Sequence, residues 1–185
     1  AIQSIIPDAT ILRPSIVFGP EDSFFNKFAA MARISPFLPL VGGGKTKFQP
    51  VYVEDVAEAV ALSVDGKIAS GKIYELGGRD VLTFKQCLQT MLEVIGRKRA
   101  LVPMPFGIAS MIGSIASAIP LITPPLTSDQ VTLLKRDNVV SDSAKAEGRT
   151  LEGMGIQPVK VASILPTYLV HFRPHGQFTG SGKAA

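Results

Sequence analysis

Residues 9–19, ATILRPSIVFG, constrain the fold more than any other stretch of the chain. β-branched and apolar side chains fall at both odd and even positions, and the run stops at Gly19-Pro20. A strand with one wet face alternates, whereas a strand that is apolar on both faces needs cover on both sides. Helices packed on both faces of a parallel sheet provide that cover, so the run points to an α/β fold.

The flanking segments agree with this reading. SFFNKFAAMARI (23–34) has a helical period, with Asp22 or Ser23 as its N-cap. Residues 35–55 mix proline and glycine with short extended pieces, as loops framing a strand near 48–53. EDVAEAVALSVD (54–65) is helical, and its spacing turns Val56 and Val60, with Ala57 and Ala61, inward. GKIYELGG (71–78) reads as a strand ended by paired glycines. LTFKQCLQTMLEVIG (82–96) is a helix with Thr83 as N-cap and Gly96 as its stop. Residues 100–105 are extended, 106–118 form an apolar helix, a further helix starts at Thr127 or Ser128, and 159–173 form a last helix kinked at Pro166. The expected arrangement has 9–19, 48–53 and 71–76 as parallel strands at the edge of one sheet, followed by a mostly helical remainder. No fixed-period repeat is present.

Several function classes are disfavoured. The net charge is +4, and the cations are dispersed apart from Arg97-Lys98-Arg99, too small a group for a nucleic-acid face. The single cysteine, Cys87, precludes an internal disulfide and sits in a helical segment as an inert thiol. His171 and His175 are four apart, but Pro174 interrupts the helix that would align them, so no metal site is expected. No run reaches the roughly 18 apolar residues of a membrane span. The start, AIQSIIPD, lacks a signal-peptide pattern and reads as the last turn of a helix, so the expectation is a chain cut from something longer.

Two phosphate motifs are tested and set aside. VGGGKTK (41–47) suggests a phosphate loop, but the position that needs glycine is Pro39, which has no amide hydrogen. The glycine fingerprint of dinucleotide-binding folds does not occur. None of Tyr52, Tyr74 and Tyr168 has lysine four residues on, so no phenol–ammonium pair stands ready to protonate a carbonyl, and no catalytic residue is assigned.

One ordered constellation remains: LRPSIVFGP (12–20), FQPVYVEDVAEAV (48–60) and YELGG (74–78). It resembles the C-terminal part of extended short-chain dehydrogenases/reductases, the NAD-dependent epimerase/dehydratase family. YELGG with LTF (74–84), LITPPLTSDQVTLLKRDNVVS (121–141) and GIQPVKVASILPTYL (155–169) are similar to the branch of the nucleotide-binding accessory subunit of respiratory complex I. The resemblance implies an α/β fold: the C-terminal part of a Rossmann-type parallel sheet plus an α-rich substrate-binding cap. It implies residues 1–81 as the late Rossmann segments with a cap insertion at 20–47, and 82–185 as the cap region with a flexible tail from about 176. Pro14, Ser15, Ile16 and Val17 correspond to the stretch beside the nicotinamide of NAD or NADP. Phe24, Asn26, Lys27, Phe48, Gln49 and Tyr52 correspond to the substrate pocket, with Asn26 near a helix N-terminus suited to an anion. For Phe24, Phe48 and Tyr52 plain core packing is an equal reading. Arg13 would anchor a strand end and Asp55 would cap the helix from 56.

The family's glycine fingerprint and catalytic tyrosine and lysine would lie before Ala1, so NAD or NADP binding by this chain alone is expected to be weak or absent. The implied partners are a missing N-terminal half or a second copy, with no nucleic acid. The implied location is cytoplasmic or peripheral at the inner membrane. Two functions stay open. One is the substrate-cap part of an NAD(P)-dependent oxidoreductase or epimerase. The other is a non-catalytic accessory or assembly protein of a respiratory membrane complex, docked through the Gly/Ala/Ser-rich helix 106–118.

Overall fold

The computed structural model describes residues 2–117, 128–174 and 176, with side chains undescribed at 112–117 and 128–130. The TPPLT segment, His175 and the tail beyond 176 lie outside the described residues. Along the chain come α1 (Ile2–Ile5), β1 (Ile11–Pro14), β2 (Val17–Phe18), α2 (Phe25–Ile34), β3 (Phe37–Val41), β4 (Val51–Tyr52), α3 (Val53–Val64) and β5 (Ile73–Leu76). They are followed by α4 (Phe84–Val94), β6 (Ala100–Met104), α5 (Phe106–Ser117), α6 (Ser128–Leu133), α7 (Asp142–Ala146) and α8 (Val161–Tyr168). No helix among the described residues is long and apolar enough to cross a membrane.

The chain divides into two compact units. The first comprises Ala1–Gly19, Phe48–Val81 and Asn138–Ile164, and the second Pro20–Lys47, Leu82–Asp137 and Leu165–Ala185.

In the first unit β1 and β5 run parallel, with Ile11 opposite Ile73 and Pro14 opposite Leu76. β2 and β4 are also parallel, with Val17 opposite Val51. The parallel direction agrees with the sequence, but the ladder forms two separate pairs rather than one sheet. The change of partner occurs at Ser15-Ile16: the Ser15 amide donates to the Leu76 carbonyl at 2.9 Å, and the Ile16 carbonyl accepts from Val51 N–H at 2.9 Å. The core gathers Val51, Ala59, Tyr74, Leu76, Leu151 and Ile156. Leu151 and Ile156 lie far along the chain, so the stretch from 138 returns to complete this unit.

α3 corrects the expected inward face. Its buried residues are Asp55 and Ala59, with Val56 and Leu62 packed on the core. Val60 is 46% exposed and Ala57 and Ala61 are exposed. The helix carries two apolar stripes, and period alone does not choose between them. Asp55 is a second correction. The helix starts at Val53, ahead of it, and the Asp55 carboxylate accepts from the Val159 amide at 3.2 Å instead of capping its own helix. Arg13 is exposed on β1.

In the second unit, α2 and α4 pack through an aromatic cluster in which Phe24, Phe25, Phe28 and Phe84 meet edge-on or tilted, with centroids 5.0–6.0 Å apart. Thr83 caps α4 through a full capping box: Gln86 N–H donates to the Thr83 hydroxyl at 3.2 Å, and Thr83 N–H donates to the Gln86 side chain at 2.8 Å. A strand pair is found where the sequence suggested only extended pieces: β3 and β6 run parallel, placing Pro39 opposite Val102 and Pro103 opposite Leu40. Each strand of a two-stranded ladder has a free edge, where a proline's missing N–H is tolerated. After β3, Gly42, Gly43 and Gly44 turn the chain at φ +60°, +68° and +69°. A Cβ on Gly42 would strike the Phe106 ring, so this triplet answers packing and turn geometry.

Candidate functional site

The ten residues implicated by resemblance separate between the units: Pro14 to Val17, Phe48, Gln49 and Tyr52 belong to the first, and Phe24, Asn26 and Lys27 to the second.

In the first unit the bend after β1 is tied to two other segments. The Ser15 hydroxyl donates to the Asn138 carbonyl at 2.7 Å and lies 3.2 Å from the Gln49 amide. Gln49 N–H also donates to Asn138 O at 3.1 Å. The buried Gln49 side chain donates from Nε2 to the Gly78 carbonyl at 2.8 Å and accepts from Val140 N–H at 3.0 Å. The Gly78 amide returns a bond to Gln49 O at 3.0 Å. The paired glycines of YELGG follow from this lacing: a Cβ on Gly77 would collide with the Gln49 amide, and one on Gly78 with the Pro50 carbonyl. Gln49 and Ser15 therefore hold backbone, and within 14–17 the Ser15 amide and the Ile16 carbonyl are themselves engaged by Leu76 and Val51.

Phe48 is buried at 3% exposure and bridges to Asn138. Tyr52 is half-buried against Phe18, with centroids 5.7 Å apart. Its phenol is pushed above the ordinary tyrosine range, first by desolvation and then by the Glu54 carboxylate. A phenol held protonated in this way can donate a hydrogen bond but is a poor proton acceptor.

In the second unit, the N-terminus of α2 is filled by the chain itself. One Asp22 oxygen accepts from the amides of Phe24 (2.8 Å), Phe25 (2.5 Å) and Asn26 (3.3 Å). The other accepts from the Tyr168 hydroxyl at 2.6 Å. The Asn26 side chain donates to the Pro20 carbonyl at 3.1 Å. The anion position that the sequence offered near Asn26 thus holds an internal carboxylate. Lys27 is half-buried, and desolvation lowers its ammonium pKa.

Sequence reasoning missed the roles of Asn138 and Val140, which act through backbone groups and leave no side-chain signal. Among the described residues no three His, Cys, Asp or Glu side chains gather as metal ligands.

No protein-family model matches the chain. It is 36% identical over 190 residues to "NADH dehydrogenase [ubiquinone] 1 alpha subcomplex subunit 9, mitochondrial" of Arabidopsis thaliana, a match covering 98% of this chain and 46% of that protein. The chain thus spans about half the length of this relative. Among solved structures, UDP-glucose 4-epimerase of Thermotoga maritima superposes with a TM-score of 0.59 at 20% identity, over 88% of this chain and 45% of that one. The dTDP-glucose 4,6-dehydratase DesIV of Streptomyces venezuelae, with NAD and TYD bound, gives 0.59 at 18% identity, over 90% and 44%. These two likenesses show a Rossmann-type epimerase/dehydratase fold.

Proposed function

We propose that this chain, which has an epimerase/dehydratase-type Rossmann fold and is 36% identical to a complex I alpha-subcomplex subunit 9, is the C-terminal part of a nucleotide-binding protein of the extended short-chain dehydrogenase/reductase family. In this reading the main chain of Pro14 to Val17 lies beside the nicotinamide end of NAD or NADP. Within the first unit Phe48, Gln49 and Tyr52 are the proposed substrate contacts, Gln49 mainly by fixing backbone; Phe24, Asn26 and Lys27 are proposed separately within the second unit, Asn26 mainly by fixing backbone. The fit is partial. The Ser15 hydroxyl is engaged by Asn138, so the 14–17 stretch offers a carboxamide backbone groups only, and the chain contains no glycine cradle for the pyrophosphate.

The partner proposed is the N-terminal half of such a protein, or a second copy in its absence. Two surfaces of the first unit support this. β1 is paired along one edge, with β5, among the described residues. α3 presents Val53, Val60 and Val64 at 41%, 46% and 82% exposure, continued by exposed Ala57 and Ala61, and Ile2, Ile5 and Ile6 are also exposed. Open strand edges and apolar stripes favour association.

A second reading, an accessory subunit of a respiratory membrane complex, is favoured by the 36% identity to a complex I subunit over 98% of the chain. The experiment compares this chain with a version extended upstream to the length of its relatives. Calorimetric titration of NADH and NADPH should show binding at least about tenfold tighter, roughly 1.4 kcal/mol, in the longer form. Equal affinity would remove the proposed division of the cofactor site. Comigration with complex I on native gels would favour the accessory role. For association, ultracentrifugation should show a self-associating chain that becomes monomeric on Val60→Glu with Val64→Glu.

A further inference from the structure

A cleft of about 570 Å³ opens within the first unit, and none of the residues considered above as a cofactor or pocket contact lines it. Arg79, Glu152, Gln157, Pro158, Val159, Lys160 and Ser163 line it. The volume suits a small molecule, since ligand clefts run from roughly 300 to 1,000 Å³.

The side chains of Arg79 and Lys160 make no hydrogen bond or ion pair among the described residues, although Glu152 lines the same cleft. Elsewhere the exposed pairs Lys67–Asp65 and Lys145–Asp142 do close, at 3.0 and 3.3 Å. The backbone carrying the cations is pinned. Arg79 follows Gly78, whose carbonyl is held by Gln49, and Asp80 beside it accepts from the Val161 amide at 3.2 Å. Lys160 lies between Val159, whose amide is held by Asp55 at 3.2 Å, and Val161. Lys160's carbonyl also accepts from the Ser163 hydroxyl at 2.7 Å. The first amide of α8 is thus already taken, and what the cleft offers a ligand is side-chain charge on a fixed frame.

We propose that this cleft binds a small hydroxylated phosphate monoester, with Arg79 and Lys160 on the phosphate and Glu152 accepting from a ligand hydroxyl. A guanidinium fork and an ammonium together match a tetrahedral dianion. A lone carboxylate beside two cations repels the phosphate itself but accepts a hydrogen bond from a hydroxyl. The Gln157 amide adds a neutral donor and acceptor. The proposal stands apart from the nucleotide reading.

The test uses the 185-residue chain at constant ionic strength, titrated with glycerol 3-phosphate and with inorganic phosphate while amide resonances are followed. Saturable shifts confined to Arg79 and residues 157–163 are expected. Arg79→Gln with Lys160→Gln should weaken both probes at least tenfold, and Lys98→Gln, an exposed cation elsewhere, should leave them unchanged. Glu152→Gln should weaken glycerol 3-phosphate but tighten inorganic phosphate. Arg79→Lys keeps the charge and loses the fork, and should weaken both severalfold if the double variant fails to fold. Phosphatidylcholine vesicles with and without phosphatidic acid separate the sources: retention that depends on Arg79 and Lys160 assigns the phosphate to a headgroup, and its absence assigns it to a soluble ester. Shifts that never saturate, or equal weakening by Lys98→Gln, would overturn the proposal.

Discussion

The side-chain amide of Gln49 donates to the carbonyl of Gly78 at 2.8 Å, and the Gly78 amide donates back to the Gln49 carbonyl at 3.0 Å. This reciprocal pair joins the stretch before β4 to the loop after β5, and the remaining oxygen of Gln49 adds Val140.

Gln49→Ala should therefore leave a buried carbonyl and a buried amide without partners. Each such group costs about 1–3 kcal/mol. Urea unfolding should show a midpoint loss consistent with at least one of them. Gly78→Ala meets the Pro50 carbonyl rather than a pliable side chain, and should cost at or above the upper end of the usual ~1–3 kcal/mol for overpacking. Gly43→Ala has open space but φ +68°, and should lose only about 1–2 kcal/mol.

The bond from Tyr168 to Asp22 links the last helix to the cap of α2. Tyr168→Phe removes a hydrogen bond to a carboxylate and should cost about 1.5–3 kcal/mol by chemical denaturation. Asp22→Ala should cost more, because the α2 amides lose their acceptor as well.

Asp55 gives a pH signature. Burial raises its carboxyl above the usual value, the Val159 amide working against that and Glu58 and Glu54 with it. The folded state then holds the proton more tightly than the unfolded state. Stability falls as pH rises from the unfolded value, near 3.8, through the raised folded one, and the loss is fully present above it. Asp55→Asn can still accept from Val159. It should flatten that part of the stability profile and gain relative to the parent at pH 7 rather than at pH 3. An unchanged profile would contradict the assignment.

Cys87 is fully buried on α4 and its thiol is pushed up to about 12 by desolvation. At pH 8 iodoacetamide should label it only as fast as the chain opens, and in full under denaturant.

Local chemistry in this chain was legible where a short-range mechanism fixes it. Thr83 with Gln86 announces a helix start in four residues, and the apolar run at 9–19 announces parallel pairing. Long-range choices were not. The N-cap position of α2 is Phe24 rather than Asp22 or Ser23, and the Asp22 carboxylate reaches the first amides from two residues earlier while also accepting from Tyr168 far along the chain. The inward face of α3 was misread because Val53, Ala57, Val60, Ala61 and Val64 form as good a stripe as the one that is buried. The β3–β6 ladder joins segments separated by the whole of α4, and Pro39 and Pro103 obscure both strands. For the candidate site, residue types were visible, but the lacing of Ser15 and Gln49 to Asn138 and Val140 runs through main-chain atoms that no side-chain pattern encodes.

The first unit is assembled from three stretches of chain, and its last contributors to the core, Leu151 and Ile156, arrive only after residues of the second unit have been passed. During translation, β1 and β5 must leave the ribosome and wait with an incomplete apolar layer until that third stretch emerges. A stalled or prematurely terminated nascent chain ending before residue 151 would display that layer. Such truncated products should be the ones captured by chaperones.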